Sequence, residues 1–231
     1  MRKDSLLKLT ASIMGCFAIA TLGNQCYNIH LAKNIDNEII NSKAVATEEP
    51  IIYTEVARFD TKYDFSNNKI LAEHSDLVVI GKVTNLEDAT NYNPAKNSYG
   101  KARTPGTLEV LQVLKADEKA NMKEVEFLDV GGLISYEEYE KSLLPAQKAK
   151  RDYLMQQNGI ETRSNVFVKQ QVENQLEIEE GKTYVMYLEY NSDYDKYMVV
   201  NQPYGVKEYN TKTGKILNHV TNSIETIEKS I

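Results

Sequence analysis

A mainly β fold is what this sequence predicts: a small Greek-key barrel, interrupted by a helical insert and closed by a short C-terminal helix. Three observations predict it. Short apolar runs recur, bounded by Gly, Asn, Pro and Asp. No helix of ten to fifteen residues lies between successive runs, which argues against a doubly wound α/β fold. Tyrosine is common, at 15 residues with no Trp, and such rings favour strands and half-wet surfaces. The length of 231 residues, 42% hydrophobic, suits one domain with one sizeable core and some extensions.

The N-terminus reads as a targeting segment. Arg2, Lys3 and Lys8 form a basic start, and "LTASIMGCFAIATL" (Leu9 to Leu22) follows without a charge. That apolar stretch fits a signal peptide and falls short of the roughly 18 residues that span a bilayer. Ala18 and Ala20, or Thr21 and Gly23, offer small-residue cleavage sites. An uncleaved anchor and a lipobox ending at Cys16 are the alternatives. The chain is thus expected outside the cell or on its surface, and membrane-anchored if the segment is retained. Cys16 and Cys26 are the two cysteines, so a mature chain would hold no internal disulfide framework. Low cysteine use in an exported chain fits a Gram-positive setting.

Removing residues 1–23 takes three cations and one anion, and the formal net charge goes from -6 to -8. An acidic mature chain disfavours nucleic acid and anionic membrane surfaces as partners. The membrane would be met through the N-terminal segment alone.

Residues 24–50 mix polar and apolar residues without a firm period and read as a linker or stalk, with room for a short helical piece, that Pro50 ends. The domain proper is expected over residues 51–231. "IIYTEVARF" (Ile51 to Phe59) reads as a first strand or an edge segment. Ile70 and Leu71 sit on a helical turn before "SDLVVIGKV" (Ser75 to Val83), whose two faces are both apolar around Val78, Val79 and Ile80. Such a strand is buried on both sides or lies in a closed sheet, and Gly81 within it predicts a bulge or a sharp bend. Residues 89–106, "ATNYNPAKNSYGKARTPG", read as a long loop. "TLEVLQVLKAD" (Thr107 to Asp117) is the next strand. In "MKEVEFLDVGG" (Met122 to Gly132), Val125, Phe127 and Asp129 share one face, and Gly131-Gly132 ends it.

The helical insert is expected at about residues 135–159. Ser135 stands three residues before Glu138, the spacing of a capping box. Tyr136, Tyr139 and Leu143 line one face of the first helix. Pro145 interrupts it and can begin a second helix, with Ala149, Tyr153 and Leu154 as its apolar stripe and Asn158-Gly159 as its end. "NVFVKQQV" is a further strand. "TYVMYLEY" (Thr183 to Tyr190) follows a turn at Glu180-Gly181-Lys182 and pairs with "YMVVNQ" across the "NSDYDK" loop. "YGVKEYNTKTGKIL" reads as a hairpin turning at Thr213-Gly214. Ile224, Ile227 and Ile231 have helical spacing, as in a short docking helix.

Read in order, "HSDLVVIGKV", "GTLEVLQVLKAD", "EVEFLDVGG" and "EEGKTYVMYLEY" resemble the barrel of tissue-inhibitor/netrin-type modules, over about residues 70–206 apart from the insert. Many secreted bacterial proteins of unknown role share this pattern. The resemblance implies an OB-like fold and a binding barrel rather than a catalyst. Metalloprotease inhibitors of that family use a disulfide-tethered N-terminal cysteine. This chain departs from them in having no such pair, and no functional residue is carried over.

Chemical motifs are sparse. There is no G-x-S-x-G, H-E-x-x-H or C-x-x-C, and His30, His74 and His219 are scattered. His74 reads as a helix-end or turn residue. Asn191, Asp193 and Asp195 have calcium-like spacing, but an EF-hand's required Gly and Glu are replaced by Lys196 and Gln202, so a solvated hairpin tip is expected. Tyr184, Tyr190, Tyr197 and Tyr204 could form an aromatic binding face or pack against the strands. No metal or other cofactor is expected.

The function class expected is a non-catalytic binding module of the cell exterior. A secreted hydrolase with an unrecognised carboxylate site, or a protease-inhibitor-like module, is the alternative. Candidate ligand contacts are Tyr92, Lys96, Tyr99, Lys101 and Arg103, a basic and aromatic cluster on an acidic chain. That mix suits a cell-envelope protein or polysaccharide. The helical insert is the second candidate surface.

Overall fold

The computed structural model describes residues 49–58, 61–116, 122–160 and 164–227, and the backbone of residues 27–31. The expected signal or anchor segment, Cys16 and Cys26 lie outside the described residues, as do most of the expected linker and the last residue of the expected C-terminal helix, Ile231. No helix among the described residues is long and apolar enough to cross a membrane.

The fold is mainly β, in two sheets. Strands β1 (Tyr27–Leu31) and β2 (Ile51–Ala57) pair antiparallel, and β2 runs parallel to β8 (Val166–Val172). β7 (Gly132–Ser135) completes this four-stranded sheet, in the order β1-β2-β8-β7. Part of the expected linker is therefore a strand. Its backbone covers the side of β2 that β8 leaves open, a pairing that needs no apolar period.

The larger sheet has nine strands. Its centre is β3 (Leu77–Leu86), flanked by β5 (Ser98–Ala116) and β9 (Thr183–Asn191). β5 continues to β6 (Glu124–Val130) and carries β4 (Thr90–Asn93) at its start. β9 pairs with β10 (Lys196–Val199) and with β11 (Val206–Asn210), which leads on to β12 (Lys215–Asn218) and β13 (Ser223–Glu225). The pairings close on themselves: β10 bonds antiparallel to β9 and parallel to β6, so β3, β5, β6, β10 and β9 form a circuit.

β3 is buried on both faces, as its sequence predicts. Leu77, Val79 and Val83 join one core cluster with Leu108, Phe127, Met186 and Leu188. Val78 and Ile80 join another with Leu71, Val185, Tyr187 and Ile216. The bulge expected at Gly81 is present, as a register shift against β5 between Ile80 and Gly81. Helix α1 (Asn68–Glu73) begins at Asn67, whose side chain accepts from the Lys69 amide at 3.0 Å. Lys115 closes its other end, donating to the carbonyls of Ala72 and Ser75 at 2.9 and 2.5 Å.

Three expectations are corrected. The long loop at residues 89–106 is instead the β4–β5 hairpin. Asn97 takes a positive φ of 46° at its tip, and the Asn93 side chain accepts from the Lys96 amide. Asn residues that tolerate this backbone turn a polar stretch into a tight hairpin. The C-terminal helix is replaced, at Ser223–Glu225, by strand β13. Asn218 accepts from the amides of Val220 and Thr221, and Asn222 has a φ of 53°, so the chain turns back and pairs with β12.

The third correction is inside the insert. Helices α2 (Tyr136–Lys141) and α3 (Pro145–Gln157) occupy it, and Ser135 caps α2 by accepting from the Glu138 amide at 3.1 Å. The expected stripe of α3 is split: Ala149 and Tyr153 are exposed, Leu154 lines the cavity described below, and Met155, outside the stripe, is the buried residue. An ion pair at Arg151, described below, ties the helix to β2. The remaining helix, α4 (Gln202–Gly205), is a single turn ahead of β11.

Candidate functional site

The two sheets meet at Gly131-Gly132. Their φ values of 106° and 131° suit glycine, and a Cβ at Gly131 would stand 2.5 Å from the Gln170 carbonyl oxygen. The chain leaves β6 there, enters β7, and then folds α2 and α3 over the four-stranded sheet. Tyr136, Tyr139 and Met155 pack with Ile134, Val166 and Val168 to seal one end of this layer. The other end stays open as a cavity of about 530 Å³, within the range of roughly 300–1,000 Å³ that small-molecule sites occupy.

The floor of the cavity is polar, and its groups are hydrogen-bonded to one another. Glu55 of β2 is buried. Its Oε1 accepts from the Tyr139 hydroxyl and from Arg151 Nη2, and its Oε2 accepts from Gln170 Nε2 at 2.9 Å. Arg151 Nη2 also donates to the Tyr139 oxygen at 3.1 Å, and its guanidinium lies 5.6 Å from the centre of the Tyr139 ring. Gln170 is held in turn, its Oε1 accepting from the Ala102 amide at 2.7 Å. Burial, with the Glu55 charge beside it, holds the Tyr139 hydroxyl well above its ordinary range.

The walls are largely apolar, with Leu143, Ala146 and Leu154 from the insert facing Val130 and Val172. Among the described residues, Lys101, Lys150 and Arg151 are the cations that line the cavity, and Glu55 is the carboxylate. Burial, joined by the Arg103 charge and opposed by Glu55, lowers the Lys101 ammonium to about 8. A paired-carboxylate mechanism needs a second acid at the site. The cavity wall has none among the described residues, and both Glu55 oxygens already accept hydrogen bonds.

The five sequence candidates lie on the β4–β5 hairpin, and Lys101 is the one that lines the cavity. Tyr92 and Tyr99 pack ring against ring at 5.2 Å, and the Tyr92 hydroxyl donates to Asn97 at 2.8 Å. Lys96 pairs with Asp193 at 2.5 Å, and Arg103 stacks over Tyr194 at 5.1 Å. These contacts join the tip of this hairpin to the tip of the β9–β10 hairpin. Lys141 of α2 completes the group, 5.2 Å over the Tyr99 ring.

Glu55, Tyr139, Arg151 and Gln170 escape the sequence reading. Glu55 offers a faint signal, an acid inside an otherwise neutral strand. Arg151 offers none, in a helix rich in polar residues.

The other candidates are accounted for by local contacts. His74 packs against Tyr63 and Phe65, and His219 Nε2 meets the Asn174 carbonyl at 2.8 Å. Asp193 holds Lys96, and Asp195 accepts from the Tyr190 hydroxyl. Tyr184 is buried and its hydroxyl accepts from the Glu179 amide, while Tyr190 and Tyr197 meet edge to face. No cluster of His, Cys, Asp or Glu among the described residues could hold a metal ion.

A second buried carboxylate lies away from the cavity wall. Asp129 accepts from Gln175 Nε2 at 2.9 Å and from Gln202 Nε2. Burial pushes its carboxyl up to about 7, against the pull of those amides and of the Val130 backbone. Gln202 Oε1 is buried without a partner among the described residues.

Comparison with protein-family models and with curated proteins finds no match to this chain.

Proposed function

We propose that this chain is a non-catalytic binding module of the cell exterior, built on an OB-like barrel, which holds a small ligand between the four-stranded sheet and the helical insert. The observation that carries this reading is the cavity itself, an apolar chamber with a polar floor whose groups are locked to one another. Glu55, Tyr139, Arg151 and Gln170 are fixed before any ligand arrives, and pre-organised polar groups in an apolar pocket are the usual build of a binding site. The barrel reading draws support from the closed circuit of five strands, its single parallel pair β6–β10 and the bulges that bend β3. The resemblance to tissue-inhibitor/netrin-type modules points the same way.

Export rests on the basic-then-apolar order of the first 22 residues. Exposure to the cell envelope would then make an envelope protein, a polysaccharide or a small envelope component the available partner. The cavity favours the small component. Of the five hairpin candidates, Lys101 is the one that lines the cavity.

One experiment tests location and binding together. The full chain is expressed in a Gram-positive host, and the envelope and medium fractions are purified without denaturation. Native mass spectrometry is expected to find the chain there with a non-covalently bound small molecule. Ala146→Trp, which fills the cavity, is expected to lose that extra mass while melting like the wild type. A bare wild-type mass, or recovery from the cytoplasm alone, would defeat the corresponding half of the reading.

A further inference from the structure

We infer that the cavity takes an uncharged aliphatic molecule with one hydrogen-bond acceptor, held at Arg151, and this rests on the reading of the cavity as a binding site. The walls are the first argument. Ala57, Val130 and Val172 end β2, β6 and β8, and Ala57 stands opposite Val172 in register. Leu143, Ala146 and Leu154 line the cavity from the insert. Leu143 and Leu154 are half-buried and Ala146 is exposed, so the protein leaves part of this apolar wall uncovered. An aliphatic chain covers it and gains in proportion to the area removed from water. A sugar would turn its hydroxyls toward these methyl groups, and hydrogen bonds would go unmade.

Hydrogen-bond capacity is the second argument. Several polar groups of the wall are engaged within the chain. The Ser142 hydroxyl donates to the Tyr139 carbonyl at 2.6 Å, and Gln147 Oε1 accepts from the Leu144 amide at 2.9 Å. Gln170 is held at both ends, by Glu55 and by the Ala102 amide. Lys101 and Lys150 each have a partner of their own within the chain. Arg151 differs. Among the described residues its hydrogen bonds run from Nη2 alone, to Glu55 and to the Tyr139 oxygen. A guanidinium carries donors on all its nitrogens, so Nη1 and Nε remain as donors on a group that Glu55 and Tyr139 have oriented. Arg151 lines the cavity, and its side chain is 18% exposed, within reach of an acceptor on a ligand.

Charge is the third argument. Glu55 already pairs with this guanidinium. A ligand carboxylate at Nη1 or Nε would stand beside the Glu55 carboxylate on one cation, and like charges that share a site repel. A ligand ammonium would meet the Arg151 charge at the same point. A carbonyl or ether oxygen takes the hydrogen bond without either conflict.

The test uses methyl octanoate, methyl hexanoate, octanoate and octylammonium, titrated calorimetrically into the folded full chain at neutral pH. Methyl octanoate is expected to bind, and methyl hexanoate roughly fifteenfold more weakly, about fourfold for each methylene lost. Octanoate and octylammonium are each expected to bind about tenfold or more weakly than methyl octanoate. The infrared carbonyl stretch of the bound ester is expected below its value in hexane, as a hydrogen bond to Arg151 requires. Ala146→Trp should abolish binding of the ester. The double variant Glu55→Met, Arg151→Met removes the ion pair as a unit. It should weaken methyl octanoate by about tenfold and return the carbonyl stretch to its value in hexane, which a loss of packing alone would not do. If that variant fails to fold, Ala146→Trp and the carbonyl stretch in the wild type decide the site. Octanoate or octylammonium binding as tightly as methyl octanoate would overturn the uncharged class. Equal binding of the two esters would overturn the aliphatic one. Either result would leave a cavity that binds. Failure of all four at their solubility limits would overturn this inference, and the bound mass in native spectra then judges the binding reading separately.

Discussion

The two sheets bury their residues in opposite styles. In the nine-stranded sheet, β3 is sealed on both faces, and its side chains alternate between two apolar clusters. In the four-stranded sheet, Val166 and Val168 are packed under the insert, but β2 and β8 run on into Glu55, Gln170 and a cavity. Apolar burial stabilises the first region roughly in proportion to area. The second gives up part of that stabilisation to keep a chamber and a set of oriented charges. The two buried carboxylates repeat the contrast. Each residue is 7% exposed, yet Glu55 faces a guanidinium and a phenol while Asp129, at the end of β6, faces amide donors. The same burial thus meets an ion pair in one place and neutral amides in the other, and at Asp129 it pushes the carboxyl up.

The largest effect should come from breaking the sealed face. Val79→Asp places a charge without a partner in the core and is expected to cost about 4 kcal/mol or more, read as a lower urea midpoint. Leu133→Asp, on edge strand β7 at 46% exposure, is expected to cost about 0.5 kcal/mol or less. Equal midpoints for the two variants would show that the sheets do not differ as described.

Asp129 sharpens the contrast between the carboxylates. Its folded value of about 7 lies above the ordinary carboxylate value of 3.8. The folded chain therefore holds a proton that the unfolded chain has released between those values. This contribution to stability is full below about 4 and is lost as pH rises through about 7. Asp129→Asn should remove that slope and gain about 2 kcal/mol near pH 8. A turn of the Gln202 amide would give the new Asn a partner in the orphaned Gln202 Oε1. Chemical denaturation across pH measures both, and an unchanged slope in the variant would show that Asp129 stays ionised.

The smallest effect lies at the hairpin tips. Lys96 and Asp193 have side chains 63% and 35% exposed, so water and salt screen their pair. Lys96→Ala is expected to change stability by about 0.5 kcal/mol at most, and by less at high salt. A larger loss in thermal melts would mean that the two hairpin tips are coupled more firmly than an exposed ion pair allows.

Much of the strand content was legible because it depends on near neighbours. The doubly apolar run at Val78, Val79 and Ile80, the alternation of Val125, Phe127 and Asp129, and the cap at Ser135 all read correctly. The misreadings share a cause. Residues 89–106 look like a loop by composition, yet alternation through Tyr99, Lys101 and Arg103 continues into β5, and Asn97 supplies the turn. Ile224 and Ile227 suggest a helix by spacing, yet the Asn218 turn returns that segment to β12. Of the candidate site, Lys101 was within reach because it stands in a visible basic cluster. Glu55, Tyr139, Arg151 and Gln170 were not, because each is ordinary in its own segment.

The sequence by itself determined the local elements: strands from alternation, turns at Gly181 and Gly214, the start of α3 at Pro145 and the break at Gly131-Gly132. Each is decided by steric freedom or hydrogen bonding within a few residues. Only the tertiary structure decided which strands meet, that β10 closes the circuit between β9 and β6, and that Tyr27–Leu31 covers the side of β2. It alone brought Gln170 to Glu55 across 115 positions and turned α3 so that Arg151 reaches the same carboxylate. The physical reason is that a buried charge is compensated by whatever the fold delivers to it, and that choice is made in space rather than along the chain.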